Sequence, residues 1–230
     1  MGQVIDMFAP SSNSPHPPSE PTKRDNATTS TAVPNTASPE EQRQKIRDSL
    51  KDLPMLALLK TVLTAQEDRV KTYRLYDDAL RKVLETNRLT DYPPACVAAT
   101  AAFAVLSNTV SAVRDEVSDR AENGKDISAV ASVSSSVIKS IGDLQGLERQ
   151  KLQLTAAYHL EQIRANNLKQ PNDGNNDDKD CEVDMGTLSL LNDGKAKLRS
   201  QIETCRSEIN CIIDDLRCAL VELIETEEEE

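Results

Sequence analysis

Apolar residues recur at alternating steps of three and four along most of this chain, and this spacing constrains its fold most strongly. The longest stripe lies near the C-terminus and has eight members: Leu198, Ile202, Cys205, Ile209, Ile212, Leu216, Ala219 and Leu223. The steps place them on one face of an α-helix as a continuous seam. Burying a large aliphatic side chain contributes roughly 1.5–3 kcal/mol, so the seam must pack on the rest of the chain or on another chain. We expect Ile209 and Leu216, at its centre, to make that contact.

Three earlier segments show the same periodicity. A stripe from Leu59 to Val83 predicts a helix over about 54–87, and a stripe from Cys96 to Val117 predicts a helix that starts at Pro93-Pro94. Asn123-Gly124 is typical of a left-handed C-cap and should end the latter helix. Residues from 127 onward are rich in Val, Ile and Ser, which also suits a strand. Their helical spacing favours a helix that continues to about Asn166.

The sequence Ser38-Pro39-Glu40-Glu41 predicts the start of a helix. Serine is placed as the N-cap, proline takes the first helical position, and a glutamate follows the cap by three residues, which is a capping box. The proline at position 54 should end this first helix early.

The composition supports a purely helical chain. Aromatic residues make up 3% of it, there is no Trp and there are seven Gly, which disfavours β-sandwiches and barrels. No apolar run approaches the eighteen residues that a membrane helix needs, so we expect no membrane partner. The predicted fold class is all-α: an elongated antiparallel helical bundle, similar to a coiled coil, with a disordered leader and an acidic C-terminus.

Composition also divides the chain into segments. Six of the eleven prolines lie in residues 1–37 among Ser, Thr and Asn, which predicts a disordered leader. Residues 38–168 form the helical body, and the Asn- and Asp-rich stretch 169–184 is an exposed, disordered linker. Residues 185–230 hold a C-terminal amphipathic helix, from about Lys195 to Ile224, with an acidic end.

The net charge of −11 is concentrated at one end. Residues 166–230 carry seven Lys and Arg against 17 Asp and Glu, which leaves the rest of the chain near −1. An acidic chain is repelled by a phosphate backbone, so we expect no direct binding of nucleic acid. The second helix does carry several basic residues, which are Lys71, Arg74, Arg81, Lys82 and Arg88. Acidic residues lie four positions before three of them (Glu67–Lys71, Asp77–Arg81, Asp78–Lys82), so a solvated face is favoured over a nucleic-acid face.

Patterns that indicate catalysis or bound cofactors are missing from the sequence. There is no phosphate-binding G-x-x-x-x-G-K-[ST], no G-x-G-x-x-G and no H-E-x-x-H. No nucleophile or second base is placed beside His159, which we expect on a helix surface. Five cysteines without a secretory signal favour free thiols in the cytosol or nucleus, and their spacings do not suit zinc. The sequence therefore predicts no enzyme, no cofactor and no metal.

Three segments of the body, taken in order, resemble the Required for excision 1-B domain family. They are Gln66-x-x-Arg69-x-x-x-Tyr73, the stretch from Cys96 to Phe103, and Leu144-Gln145-x-Leu147-Glu148-Arg149-x-Lys151-Leu152-x-Leu154-Thr155. The resemblance covers roughly residues 55–165. It implies a small α-helical protein linked to DNA excision repair, with no enzymatic residues to carry over.

Polar residues interrupt the apolar seam of the second helix at Gln66 and Arg69. Together with Glu148 and Lys151 they are expected to form an interhelical polar cluster, because polar groups inside a seam commonly fix the register of helices. With Tyr73, Ile209 and Leu216, these are the residues that we predict to matter for interactions.

Two functions remain open at the level of sequence. One is a non-enzymatic accessory or adaptor protein in DNA excision repair, nuclear or cytoplasmic, that acts through protein partners and possesses a seam able to hold a second copy. The other is a structural coiled-coil subunit of a larger assembly, for example a cytoskeletal one, with no role in repair.

Overall fold

A computed structural model of the protein describes residues 38–123, 128–169 and 185–228. All regular secondary structure in these residues is helical. The elements are α1 (Pro39–Leu50), α2 (Met55–Thr86), a single 3₁₀ turn (Leu89–Asp91), α3 (Tyr92–Glu122), α4 (Ser128–Lys169) and α5 (Met185–Glu228). The described residues contain no strand, so the all-α prediction is confirmed, including the helical interpretation of residues from 128 onward. The predicted leader (1–37) and most of the predicted linker lie outside the described residues; Lys169, assigned to the linker, is the last residue of α4.

The helices from α2 to α5 alternate in direction. Arg69 of α2 contacts Ser107 of α3, whereas Tyr76, farther along α2, lies near Tyr92 at the start of α3. In the same way, Arg199 in the first half of α5 donates to the Tyr158 hydroxyl in the second half of α4, at 3.0 Å. α3 and α4 also run in opposite directions, because Ser107 bonds to Gln145 whereas Tyr92, earlier on α3, bonds to His159, later on α4. From α2 to α5, each helix therefore packs antiparallel to the one before it, as predicted.

Two apolar clusters form the core. The larger one joins all five helices through Leu50, Met55, Leu58, Leu59, Val62, Ala65, Val110, Ala112, Val113, Val117, Val137, Ile141, Leu144, Ile209, Leu216 and Leu223. The smaller one contains the aromatic side chains Tyr73, Tyr76, Tyr92 and Phe103 together with Leu80, Val83 and Ala99. On both α2 and α4, a short polar interval separates the residues of the two clusters.

α1 is capped at its first end by its own residues and is held at its last end by α3. The Ser38 capping box is formed: the Glu41 amide donates to Ser38 Oγ at 3.2 Å, and the Ser38 amide donates to Glu41 Oε2 at 2.8 Å. At the other end, the Arg120 guanidinium of α3 donates to the carbonyls of Leu50, Lys51 and Leu53 at 2.7–3.3 Å. An arginine from another helix thus satisfies carbonyls that the end of α1 leaves without intrahelical partners.

Removing the cap should cost measurable stability. We expect Ser38→Ala to lower the free energy of unfolding by about 1 kcal/mol, because the Glu41 amide at the start of α1 loses its acceptor. Urea denaturation measures this. Ser49→Ala is the matched control, since the Ser49 hydroxyl only donates back to the Ile46 carbonyl of its own helix. Equal midpoints for the two variants would contradict the role of the cap.

The ends of α2 and α3 lie where the sequence predicted them. α3 ends at Glu122, followed by Asn123 with φ −84°, and Gly124, which would take the left-handed position, lies outside the described residues. α2 ends at Thr86, and the residue after it, Asn87, is left-handed with φ 55°. Asparagine tolerates this conformation better than most residues, which explains why the chain can turn there without glycine.

α5 starts at Met185, ten residues before the expected Lys195. The predicted helix carried an apolar stripe that was counted from Leu198, but Leu188 and Leu191 extend this stripe across Gly194 and are partly buried. A helical glycine costs about 1 kcal/mol relative to alanine, which packing of the flanking leucines offsets. Because Ile209 and Leu216 belong to the main core, the seam folds back on the same chain.

The segment Leu89–Glu122 is long and apolar enough to cross a membrane, judged by length and composition alone. Its most apolar stretch has a mean hydropathy of 1.7, so the expectation that no segment passes this test was wrong. One such helix is weak grounds for a membrane span, because a helix in the core of a bundle passes the same test. α3 does contribute Val110, Val113 and Val117 to the core.

The surface ion pairs of α2 also differ from the prediction. Lys71 pairs with Asp68 at 2.8 Å and Arg81 pairs with Asp78 at 2.6 Å, both three residues apart instead of four. Asp77, the expected partner of Arg81, accepts a hydrogen bond from His159 instead. Neighbours at three and four residues are nearly equivalent on a helix surface, so such a competing contact decides the pairing.

Candidate functional site

A buried polar cluster lies between the two apolar clusters. It consists of Gln66, Arg69 and Tyr73 on α2 and Glu148 and Lys151 on α4, all of them buried, with Arg69 only 1% exposed. α2 and α4 present these side chains because each group is spaced along one helix face at steps of three or four. The structure thus brings together all five of the predicted interaction residues in the body.

Glu148 is the centre of the polar cluster. The Gln66 amide nitrogen donates to Glu148 Oε1 at 3.1 Å, while its oxygen accepts from Arg69 Nη1 at 3.0 Å, in the amide orientation that satisfies both groups. The Tyr73 hydroxyl donates to Glu148 Oε2 at 3.3 Å. Lys151 Nζ lies 3.7 Å from Glu148 Oε1 and 3.9 Å from the centroid of the Tyr73 ring. One carboxylate therefore holds both helices together.

Arg69 extends the polar cluster to α3. Its Nη2 donates to Ser107 Oγ at 3.1 Å and to Gln145 Oε1 at 3.0 Å. Gln145 Nε2 in turn donates to the Ser107 carbonyl at 2.9 Å. Sequence reasoning did not assign Gln145 or Ser107 to the cluster. Gln145 lies three residues before Glu148 on the same face of α4, and this spacing was the available signal.

The polar cluster holds more positive than negative charge. Arg69 and Lys151 face a single buried carboxylate, that of Glu148. Burial lowers the pKa of both cations, and for Lys151 the nearby positive charges of Arg206 and Arg69 add to that effect. Burial also raises the pKa of the Tyr73 phenol, which stays protonated as a donor to Glu148.

His159 anchors a second buried network, so its placement on a helix surface was wrong. It is 1% exposed and packs on the Tyr76 ring, with centroids 4.4 Å apart. His159 Nε2 lies 2.9 Å from Asp77 Oδ1 and Nδ1 lies 3.1 Å from the Tyr92 hydroxyl. The Tyr92 hydroxyl lies 2.9 Å from that of Tyr76. We call Asp77, His159, Tyr92 and Tyr76 the histidine network.

The carboxylate sets the direction of these hydrogen bonds for a neutral imidazole. Asp77 only accepts, so His159 Nε2–H donates to it and Nδ1 accepts from the Tyr92 hydroxyl. The Tyr92 oxygen then accepts from the Tyr76 hydroxyl. Each polar group is paired within the network, which ties together α2, α3 and α4.

Alkaline pH should weaken the fold through the buried phenols. Burial raises the pKa of Tyr76 to about 12, and it raises the pKa of Tyr73 and Tyr92 as well. The unfolded phenol has a pKa of about 10, so the folded chain retains protons that the unfolded chain loses. The stability is present below pH of about 10 and falls as pH rises through the folded values, by up to about 1.4 kcal/mol per pH unit for each phenol.

Urea unfolding at a series of alkaline pH values measures this slope. Tyr76→Phe should flatten it between pH of about 10 and 12, because one of the titrating phenols is gone. Its stability at neutral pH serves as the baseline, since the hydrogen bond to Tyr92 is lost there too. An identical slope in the variant would show that Tyr76 does not titrate in this way.

A cleft opens above the polar cluster, between α2 and α5, with α4 as its floor. Its volume is about 640 Å³. At the floor lie Glu148 and Lys151 of α4, with Gln66 and Tyr73 of α2 beside them. The walls include Val70, Arg74, Arg199, Ile202, Arg206, Ile209 and Ile213. α5 packs mainly on α4 and only lightly on α2, which leaves this space between them. We call it the α2–α5 cleft.

The predicted residues of α5 divide between the cleft and the core. Ile209 lines the α2–α5 cleft and is buried at 4% exposure. Leu216 is 1% exposed and belongs to the main apolar cluster. Both contact residues of their own chain, and a role for either in binding a partner stays a prediction.

Metal-ligating and thiol groups are dispersed in the part of the chain that the structure describes. No group of three or more His, Cys, Asp and Glu side chains is placed there to hold a metal ion. Cys96, Cys205, Cys211 and Cys218 are free thiols, and Cys205 is buried in the seam as a small apolar residue. Cys181 lies outside the described residues.

One family model matches the part of the chain that contains the polar cluster and the histidine network. No curated protein and no solved structure gives a match to the chain. The family model that matches is that of DNA repair REX1-B. The match contains all three segments of the resemblance, the polar cluster and His159, and it ends before α5. Residues 57–162 therefore match the DNA repair REX1-B family, which confirms the resemblance drawn from the sequence motifs.

Proposed function

We propose that this protein is a non-enzymatic adaptor in DNA repair that works through contacts with other proteins. The observation that carries the proposal is the match of residues 57–162 to the DNA repair REX1-B family. The family name supports the link to repair and favours a nuclear location, although a cytoplasmic pool is compatible with the proposal. The finer role, that of an adaptor, rests on the chemistry of the matched residues.

The polar groups inside the match are engaged with one another. Glu148 accepts from Gln66 and Tyr73, and the His159 ring is held on both sides. A catalytic acid or base needs a position within hydrogen-bond reach of a substrate, and Arg69 and His159, each 1% exposed, are buried away from one. The geometry of the polar cluster instead suits fixing the register of α2, α3 and α4, which supports a scaffold role.

Direct DNA binding is not part of the proposal. The chain has a net charge of −11, and Lys71 and Arg81 on the basic face of α2 are paired with aspartates. Neutralising phosphates requires cations that are available to them. A salt-sensitive, submicromolar affinity of the full chain for duplex DNA would contradict this part.

Proximity labelling with the full chain fused to a biotin ligase tests the proposal, with and without DNA damage. We expect repair proteins among the labelled neighbours, at higher levels after damage, relative to the ligase alone. Filament or motor components that do not change with damage would instead support the structural coiled-coil subunit. Light scattering adds the oligomeric state: association through the outer face of α5 predicts twice the chain mass of 25.3 kDa.

A further inference from the structure

The α2–α5 cleft continues into a second concavity, so that together they form a long groove. The second concavity is lined by Leu63, Glu67, Arg217 and Asp214, and it shares Gln66, Val70, Asn210 and Ile213 with the first. Along α5 the lining runs from Arg199 to Arg217. At about 1.5 Å per residue this spans about 27 Å, which suits an extended or helical peptide better than a compact small molecule.

Charge in the first part of the groove is unbalanced. Four cations line it, Lys151, Arg74, Arg199 and Arg206, against three carboxylates, Asp77, Glu148 and Glu203. Each carboxylate already has a partner within the chain: His159 for Asp77, Lys151 for Glu148 and Arg206 for Glu203. Arg69, directly behind the floor, adds another buried positive charge.

Two of the wall cations have no carboxylate of their own. Arg199 donates to the Tyr158 hydroxyl at 3.0 Å and lies over its ring, with 5.7 Å between the guanidinium carbon and the centroid. Arg74 is exposed and makes no ion pair with the described residues. The positive charges of Arg206 and Arg69 also lower the pKa of Lys151, which is consistent with an excess of positive charge around it. The lining of the cleft therefore holds one cation more than it holds carboxylates.

The walls also carry aliphatic side chains, so a ligand that fits the cleft needs apolar groups as well as a negative charge. Val70 is 47% exposed, and Ile202 and Ile213 are partly buried beside it. An amphipathic segment can place aliphatic side chains here and an acidic side chain over the floor, in the manner of a helix that docks in a groove. A free inorganic anion would satisfy only the second of these features.

We propose that the α2–α5 cleft is the docking site for a short acidic amphipathic segment of a partner protein. A carboxylate of that segment pairs with Arg199 or Arg74, and the positive charge of Arg206 in the same lining attracts it as well. The aliphatic side chains of the segment pack on Val70, Ile202 and Ile213. This deepens the adaptor function and rests on it for the identity of the partner. The binding itself can be tested without that identity.

The experiment selects from a display library of random dodecapeptides on the full-length protein. We expect the selected peptides to carry at least one Asp or Glu, with Leu, Ile, Val or Phe three or four positions away. A synthetic selected peptide should bind about tenfold or more weakly to Arg206→Glu. Its affinity for the unchanged protein should fall with added salt, and replacing its acidic residue with the amide should weaken it similarly.

Arg164→Glu is the matched control. Arg206 pairs with Glu203 at 3.1 Å and Arg164 pairs with Glu161 at 2.6 Å, each three residues along its helix and on an exposed side chain. Only Arg206 lines the cleft. Both variants should unfold at similar urea concentrations, and Arg164→Glu should bind the peptide as the unchanged protein does.

Several outcomes would overturn the proposal. They are a selection that enriches no peptide, one that enriches basic or uncharged peptides, and equal affinity of Arg206→Glu and Arg164→Glu. A doubled mass in light scattering that only Arg206→Glu abolishes would identify the occupant as a second copy. Any of these would leave the labelling of repair proteins unaffected, whereas absence of repair proteins from the labelled set would leave peptide binding unaffected.

Discussion

Replacing Arg69 with glutamate is expected to lower the free energy of unfolding by about 3–5 kcal/mol. The substitution removes the donor to Gln66, Ser107 and Gln145 and places a second carboxylate beside Glu148. At 1% exposure the new charge has no access to water. This is the larger of the two principal effects that we predict, because a buried charge without a partner costs more than the original pair contributed.

Urea denaturation followed by circular dichroism measures the change. Arg81→Glu is the control on the same helix, since Arg81 is exposed and its pair with Asp78 contributes at most about 1 kcal/mol. A midpoint for Arg69→Glu equal to that of Arg81→Glu would mean that the polar cluster is not buried in solution.

Truncating Leu216 to alanine is expected to cost about 2–5 kcal/mol. Its side chain is 1% exposed and lies in the cluster that joins α5 to α2, α3 and α4. The family match stops at residue 162, so this variant asks whether α5 folds as one unit with the matched domain.

Leu190→Ala provides the comparison within the same helix. Leu190 is 73% exposed, so its truncation should change the free energy of unfolding by less than about 0.5 kcal/mol. A single cooperative transition that shifts only in Leu216→Ala supports packing of α5 within the chain. Equal effects of the two substitutions would indicate that α5 is not held on the bundle in solution.

Local spacing made most of the fold predictable. The stripes of α2, α3 and α5 and the box at Ser38 are patterns within one helix, and each helix forms where its pattern lies. The same logic anticipated the polar cluster, because Gln66 and Arg69 interrupt an apolar stripe that has no other reason to contain them. Burial of both confirms that they face the interior.

Contacts between segments far apart in the sequence could not be predicted from residue spacing within one helix. His159 looked like a surface residue because its partners, Asp77 and Tyr92, are 82 and 67 residues away. Only the antiparallel packing of α2, α3 and α4 brings them together. The pairing of Asp77 with His159 also explains why the expected pair with Arg81 does not form. α5 starts at Met185 and not at the predicted Lys195, since the apolar stripe that indicated this helix was counted only from Leu198.

The division of charge takes on a structural meaning in the folded chain. The acidic excess lies in residues 166–230, whereas the polar cluster has two cations for one carboxylate and the lining of the α2–α5 cleft has four cations for three carboxylates. An acidic protein can therefore present a local cationic site. Such a site steers an oppositely charged partner without making the whole surface attractive to nucleic acid.

Lesion removal in cells tests the central claim, a role in DNA repair, most directly. The rate at which damaged bases disappear from genomic DNA would be measured in cells that lack this chain and in cells to which the unchanged chain is restored. The account predicts slower removal in the deleted cells and recovery of the rate on restoration. Removal at the same rate in deleted and restored cells would contradict it.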